Sequence, residues 1–116
     1  MNFNVILTSR FERSFKPLAK RHRSLRQDIL DFVASLKSNP FQGDELSPGI
    51  RKIRMSIKSK GRGKSGGARV ITYTVVATED EGNVYLLDIY DKADSSTIET
   101  RVRDKNLRFS VNPKDT

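Results

Sequence analysis

The stretch SKGRGKSGGARV, residues 59–70, holds four glycines and four basic residues in twelve positions, with no acid. Two phosphate-binding signatures overlap in it. Gly63-Lys64-Ser65 matches the end of a P-loop, and Gly61, Gly63 and Gly66 match the GxGxxG dinucleotide fingerprint letter for letter. The flanking residues decide between these and a third reading. The fingerprint must open a helix whose amino end receives the pyrophosphate, yet residues 68–77 (ARVITYTVVA) are rich in β-branched side chains and read as a strand. The P-loop also needs an earlier glycine, and Lys58 and Ser59 stand where it belongs. Both matches are accidental on this reading. The stretch is a hairpin loop joining two strands, with glycine supplying dihedrals that other residues avoid.

Working outward, residues 50–57 have a period of two. Ile53, Met55 and Ile57 point one way, and Lys52, Arg54 and Ser56 the other, which predicts a strand with a cationic face. Downstream, residues 79–83 supply turn chemistry and 84–90 (VYLLDIY) predict another strand. Near the start, residues 4–7 suit a short strand, and Ser9-Arg10-Phe11-Glu12 has the form of a capping box. Phe11, Phe15 and Leu18 then recur at helical spacing, with a kink or restart expected at Pro17. A second box, Ser24 to Gln27, precedes Leu25, Ile29, Phe32, Val33 and Leu36, and Asn39-Pro40 ends that helix. Residues 41–48 read as a loop. Asp94 or Ser95 is placed to cap a short last helix containing Ile98 and Val102, and residues from about 110 to 116 read as a disordered tail. The expected fold is a single α+β domain over residues 1–116. In it a small, mainly antiparallel four-stranded sheet packs on an amino-terminal two-helix hairpin, with a short carboxy-terminal helix.

Composition narrows the function. The chain has no cysteine and one histidine, His22, so thiolate sites and disulfides are excluded and no metal or cofactor is expected. Apolar runs are too short for a membrane helix and no signal-peptide pattern is present, so a cytoplasmic protein is expected. The 22 Lys and Arg outnumber the 14 Asp and Glu, giving +8. Eight of the cations, and no acid, lie between Arg51 and Arg69, leaving 14 against 14 elsewhere. A neutral body with one concentrated cationic segment is the footprint of a polyanion binder, favouring nucleic acid over a membrane surface or mere solubility.

The order strand, helix hairpin, three strands, together with the series KIR, KGRGKSGGAR and YLLDIYDK, resembles the RelE/ParE superfamily of bacterial toxins, nearest its HigB/RelE-type branch. The resemblance runs from Asn4 to about Val102. It implies a ribosome-dependent, metal-independent endoribonuclease that cuts mRNA and inhibits translation, and a cognate antitoxin encoded beside it. The family's basic positions fall on Lys52 and Arg54, its arginine opening the third strand on Arg69, and its basic residue after the last strand on Lys92. The acid or aromatic group of other branches falls near Tyr90 or Asp91. RelE also has a late catalytic tyrosine, and this sequence has none after Tyr90.

The residues support such chemistry on their own terms. RNA scission through the 2′-hydroxyl needs proton transfer and a stabilised pentacoordinate phosphate. Arginine grips phosphate through two donors, while lysine acts as a compact charge. Lys52, Arg54, Arg69 and Lys92 are expected to converge on one side of the sheet, while Lys58, Lys60, Arg62 and Lys64 contact the RNA or ribosome. Competing readings stay open. One makes Arg69 a salt-bridge partner of Asp88 or Asp91 rather than a phosphate contact; Tyr73 and Tyr85 read as core residues and His22 as a solvated turn residue. At the level of function, the alternatives are a non-catalytic, ParE-like gyrase inhibitor and a cationic nucleic-acid-binding module without nuclease activity.

Overall fold

The computed structural model describes residues 2–94. Its elements are β1 (Asn2–Leu7), α1 (Ser9–Arg21), α2 (Leu25–Ser38), β2 (Asp44–Ser47), β3 (Ile50–Met55), β4 (Ala68–Thr78) and β5 (Glu81–Asp91). Short 3-10 turns occupy Lys58–Lys60 and Lys92–Asp94. The sheet is five-stranded in the order β1-β5-β4-β3-β2. It is mixed: β1 pairs with β5 in parallel, and the other three pairings are antiparallel. The class is α+β as expected, but the four-stranded sheet is corrected to five. The expected last helix around Ile98 and Val102 and the tail from 110 lie outside the described residues.

The added strand, β2, falls in the segment read as a loop. Its side chains are almost all exposed, so no alternating pattern marks it in the sequence. Backbone pairing to residues 50–52 makes it a strand. The Arg51 guanidinium holds the segment that leads into it, donating to the Phe41 and Gly43 carbonyls at 3.1 and 3.4 Å and stacking over the Phe41 ring.

Both helices pack on one face of the sheet. Phe11 and Leu18 from α1, and Leu25, Ile29, Phe32 and Leu36 from α2, meet Ile53, Met55, Val70, Val84, Leu86 and Ile89. Each stripe follows the helical period, so truncating a fully buried member such as Leu36 to alanine costs about 2–5 kcal/mol. The amino end of α1 differs from the expected box. Thr8 is the cap: its Oγ1 accepts from the Phe11 amide at 3.2 Å and donates to the Leu86 carbonyl at 2.7 Å. One hydroxyl thus starts the helix and fixes it to β5. Helix α1 also runs through Pro17 without the expected restart. At α2 the Ser24 hydroxyl makes no capping bond and donates instead to Asp28 at 2.6 Å.

The opposite face carries a smaller cluster, Ile50, Ile71, Tyr85, Leu87 and Tyr90. Tyr73 and Tyr85 stack there with centroids 6.3 Å apart, as their core reading requires. Among the described residues no helix is long and apolar enough to cross a membrane.

Candidate functional site

The glycine stretch is a hairpin connection. It runs from the end of β3 through the Lys58–Lys60 turn to β4, and no helix succeeds it. Gly61 sits at φ 69°, the left-handed region that glycine enters without strain. Gly67 serves a different need, since a Cβ there would collide with the Met55 carbonyl. Its carbonyl accepts from the Lys92 amide at 3.0 Å, which draws the start of the last turn against the loop.

Strand register aligns the sequence-derived candidates. Arg54 stands opposite Arg69, and Arg69 opposite Tyr90; one step along, Lys52 faces Ile71. The row lies on the face away from the helices, where Tyr90 and Ile71 belong to the second cluster. Arg54 is exposed and Lys52 half-buried. Lys92 is exposed just beyond β5, beside Gly67. The expected convergence of Lys52, Arg54 and Arg69 is therefore present in the backbone.

Arg69 has a different employment from its neighbours. It is only 4% exposed, and its guanidinium donates to the carbonyls of Ser65 at 2.8 Å, Ala68 at 3.1 Å and Lys64 at 3.2 Å. The salt bridge to Asp88 or Asp91 is not formed: among the described residues Asp88 faces Arg10 at 3.6 Å, and Asp91 is engaged elsewhere. Arg69 folds the loop back onto the strand it opens.

Asp91 lies apart from the row. Its register partner is Ala68, and its carboxylate is reached from the helix side, away from Arg54 and Tyr90. One oxygen accepts from Arg21 at 3.0 Å and meets the His22 Nε2 at 2.9 Å; the other accepts from the Lys60 Nζ at 2.7 Å and the Ala93 amide at 3.0 Å. Burial alone would raise its pKa, but the hydrogen bonds from Lys60, the Ala93 amide and His22, together with the Lys60 charge, outweigh it and hold the carboxyl at about 2. Asp91 thus joins the end of α1 to the glycine loop. His22 is accordingly not a solvated turn residue; its side chain is 14% exposed and pinned to β5.

The loop cations divide in the same way. Lys60 is bound to Asp91, and Lys58 pairs with Asp31 at 3.3 Å while its backbone amide donates to buried Asp28 at 3.1 Å. The Ser59 amide donates to the Ser24 hydroxyl at 2.8 Å. Arg62 and Lys64 are exposed, and among the described residues neither side chain meets an acid. Beside Lys64 a cavity of about 200 Å³ is lined by Asp28, Asp31, Phe32, Arg54, Ser56 and Lys58 among others. The anchoring contacts of Arg21, His22 and Asp28 are not legible in the sequence. A lone histidine between two arginines was the available signal, but its partner lies 69 positions away.

Among the described residues no group of three or more histidine, aspartate or glutamate side chains is placed to hold a metal ion. No protein-family model matches the chain.

Proposed function

We propose that this protein is a type II toxin of the RelE/ParE kind, acting as a ribosome-dependent endoribonuclease on mRNA and held in check by a cognate antitoxin. The observation that carries the reading is the cross-strand row Arg54, Arg69, Tyr90 with Lys52 one step along. In this reading the RNA 2′-hydroxyl attacks the adjacent phosphorus, a cyclic phosphate forms, and the 5′-oxygen leaves with a proton. Exposed Arg54 grips the phosphate and stabilises its added negative charge, Lys52 and Lys92 add positive charge, and Arg62 and Lys64 hold the strand on either side. Arg69 is a positioning residue that keeps Lys64 in place through the backbone.

Single-turnover cleavage of mRNA on programmed ribosomes tests this. Arg54→Ala should lose about 10²-fold, the scale of one preorganised donor, with its unfolding midpoint unchanged. Cleavage at the wild-type rate by the folded variant would remove Arg54 from the site. Transcripts left whole by the wild-type protein would overturn the nuclease reading.

A second reading is a non-catalytic inhibitor of the gyrase type. It is favoured by one observation: Asp91 is withdrawn to the helix side, so the row has no carboxylate from it to take a proton. Inhibited DNA supercoiling alongside intact transcripts would select it.

A further inference from the structure

Between residues 9 and 26 the chain carries Arg10, Arg13, Lys16, Lys20, Arg21, Arg23 and Arg26 against one acid, Glu12. All seven cations are exposed. At 3.6 residues per turn, Arg10, Arg13, Lys16, Lys20 and Arg21 share an arc of about 140°. That arc lies opposite Phe11 and Leu18, the buried residues of α1. The two ends of the stripe are ion-paired, Arg10 with Asp88 at 3.6 Å and Arg21 with Asp91 at 3.0 Å. Between them Arg13, Lys16 and Lys20 meet no acid among the described residues, and neither does Arg23 beyond the helix. Helix stability does not account for the pattern, because like charges three and four residues apart repel. Solubility needs net charge but not its confinement to one side.

Tertiary structure gives the stripe a direction. Arg21 and His22 at its end share Asp91 with Lys60 of the glycine loop, and the Ser24 and Ser59 hydroxyls stand 3.0 Å apart. The α1 stripe therefore runs into the loop that carries Arg62 and Lys64. We propose that the two form one continuous track for an RNA backbone, in which Arg13, Lys16 and Lys20 contact phosphates of a structured RNA on the helix side of the sheet, and the loop with Arg62 and Lys64 leads round to the row on the other face. The proposal rests on the reading of the protein as acting on RNA. A lipid surface fits less well, because the arc from Arg10 to Arg21 carries no large apolar side chain to enter the interface.

The test is the salt dependence of binding to a fluorescein-labelled RNA hairpin of about 20 nucleotides, monitored by anisotropy between about 50 and 300 mM KCl. Each phosphate contact removed lowers the log–log slope by roughly 0.7 to 0.9. The variant R13Q/K16Q/K20Q should lower it by about 2 and weaken binding at least about tenfold at 100 mM. The loop variant R62S/K64S should lower it by about 1.5, and the two effects should add. A triple variant whose slope stays within about half a unit of wild type would overturn the track. So would a loss confined to binding of phosphatidylserine vesicles. Cleavage of translated mRNA is scored separately. A wild-type protein that holds the hairpin through α1 yet leaves mRNA whole refutes the nuclease reading and retains the track.

Discussion

The root and the crest of the glycine loop are built from the same residue types and put them to opposite uses. At the root, Lys58, Ser59, Lys60 and Arg69 commit their donors inside the protein, to Asp28, Asp31, Ser24, Asp91 and the loop's own carbonyls. At the crest, Arg62 and Lys64 are exposed and meet no acid among the described residues. A basic residue is free for a polyanion only where no carboxylate or carbonyl has been folded against it. The loop's cations therefore form two sets, one holding the shape and the other presenting charge.

The sharpest way to break this contrast is to remove the main anchor. Asp91→Ala leaves Lys60, Arg21 and His22 without their shared acceptor and should lower stability by about 3 kcal/mol in urea unfolding, near the low end for a broken buried pair because Arg21 is half exposed. A loss below about 0.5 kcal/mol, the scale of a surface change, would place Asp91 with the crest.

Arg69→Ala should come next at about 2 kcal/mol, since a buried cation bound to three carbonyls is removed and those carbonyls lose their donor. Arg69→Lys should restore only part of this, because one ammonium cannot reproduce the fork that spans Lys64 and Ser65. Full stability of folded Arg69→Ala would return this residue to the catalytic role implied by the resemblance.

Acid titration gives a smaller effect with a defined sign. The Asp91 carboxyl is held at about 2 against an ordinary 3.8, so its folded form favours the charged state. Its contribution is complete above about pH 4 and is lost as pH falls towards 2. Asp91→Asn should flatten the stability profile in that window. Asp31, lowered by Gln27 and then by Lys58 but exposed, leaves only a shallow residual slope. The smallest expected change is at the crest, where R62S/K64S should stay within about 0.5 kcal/mol of wild type in the same unfolding assay. A larger loss would mean that the crest is also structural.

Local chemistry made much of this legible. Residues 52–57 alternate and 68–78 are rich in β-branched side chains, so two strands and the loop between them emerge from pattern alone, and with them the rejection of both phosphate-binding motifs. The side-by-side placement of Arg54 and Lys52 is equally local, because residues two apart on a strand share a face. The register of Arg54 with Arg69 required only that the hairpin close. Segment β2 was not legible, because its exposed side chains record no period and the strand exists through pairing with β3.

By itself, then, the sequence determined the helices, the central strands and the concentration of positive charge, because each depends on neighbours within a few residues. Only the tertiary structure decided which cations are available. Asp91 meets Arg21, His22 and Lys60 across separations of 70, 69 and 31 residues, and no local pattern encodes such a meeting. The same contacts bring the α1 stripe to the loop. A charge count assigned the whole excess to residues 51–69 because the acids that balance α1 in the sum lie elsewhere in the chain. Electrostatic neutralisation depends on distance in space, and among the described residues Arg13, Lys16 and Lys20 form no ion pair with the acids that cancel them in the composition.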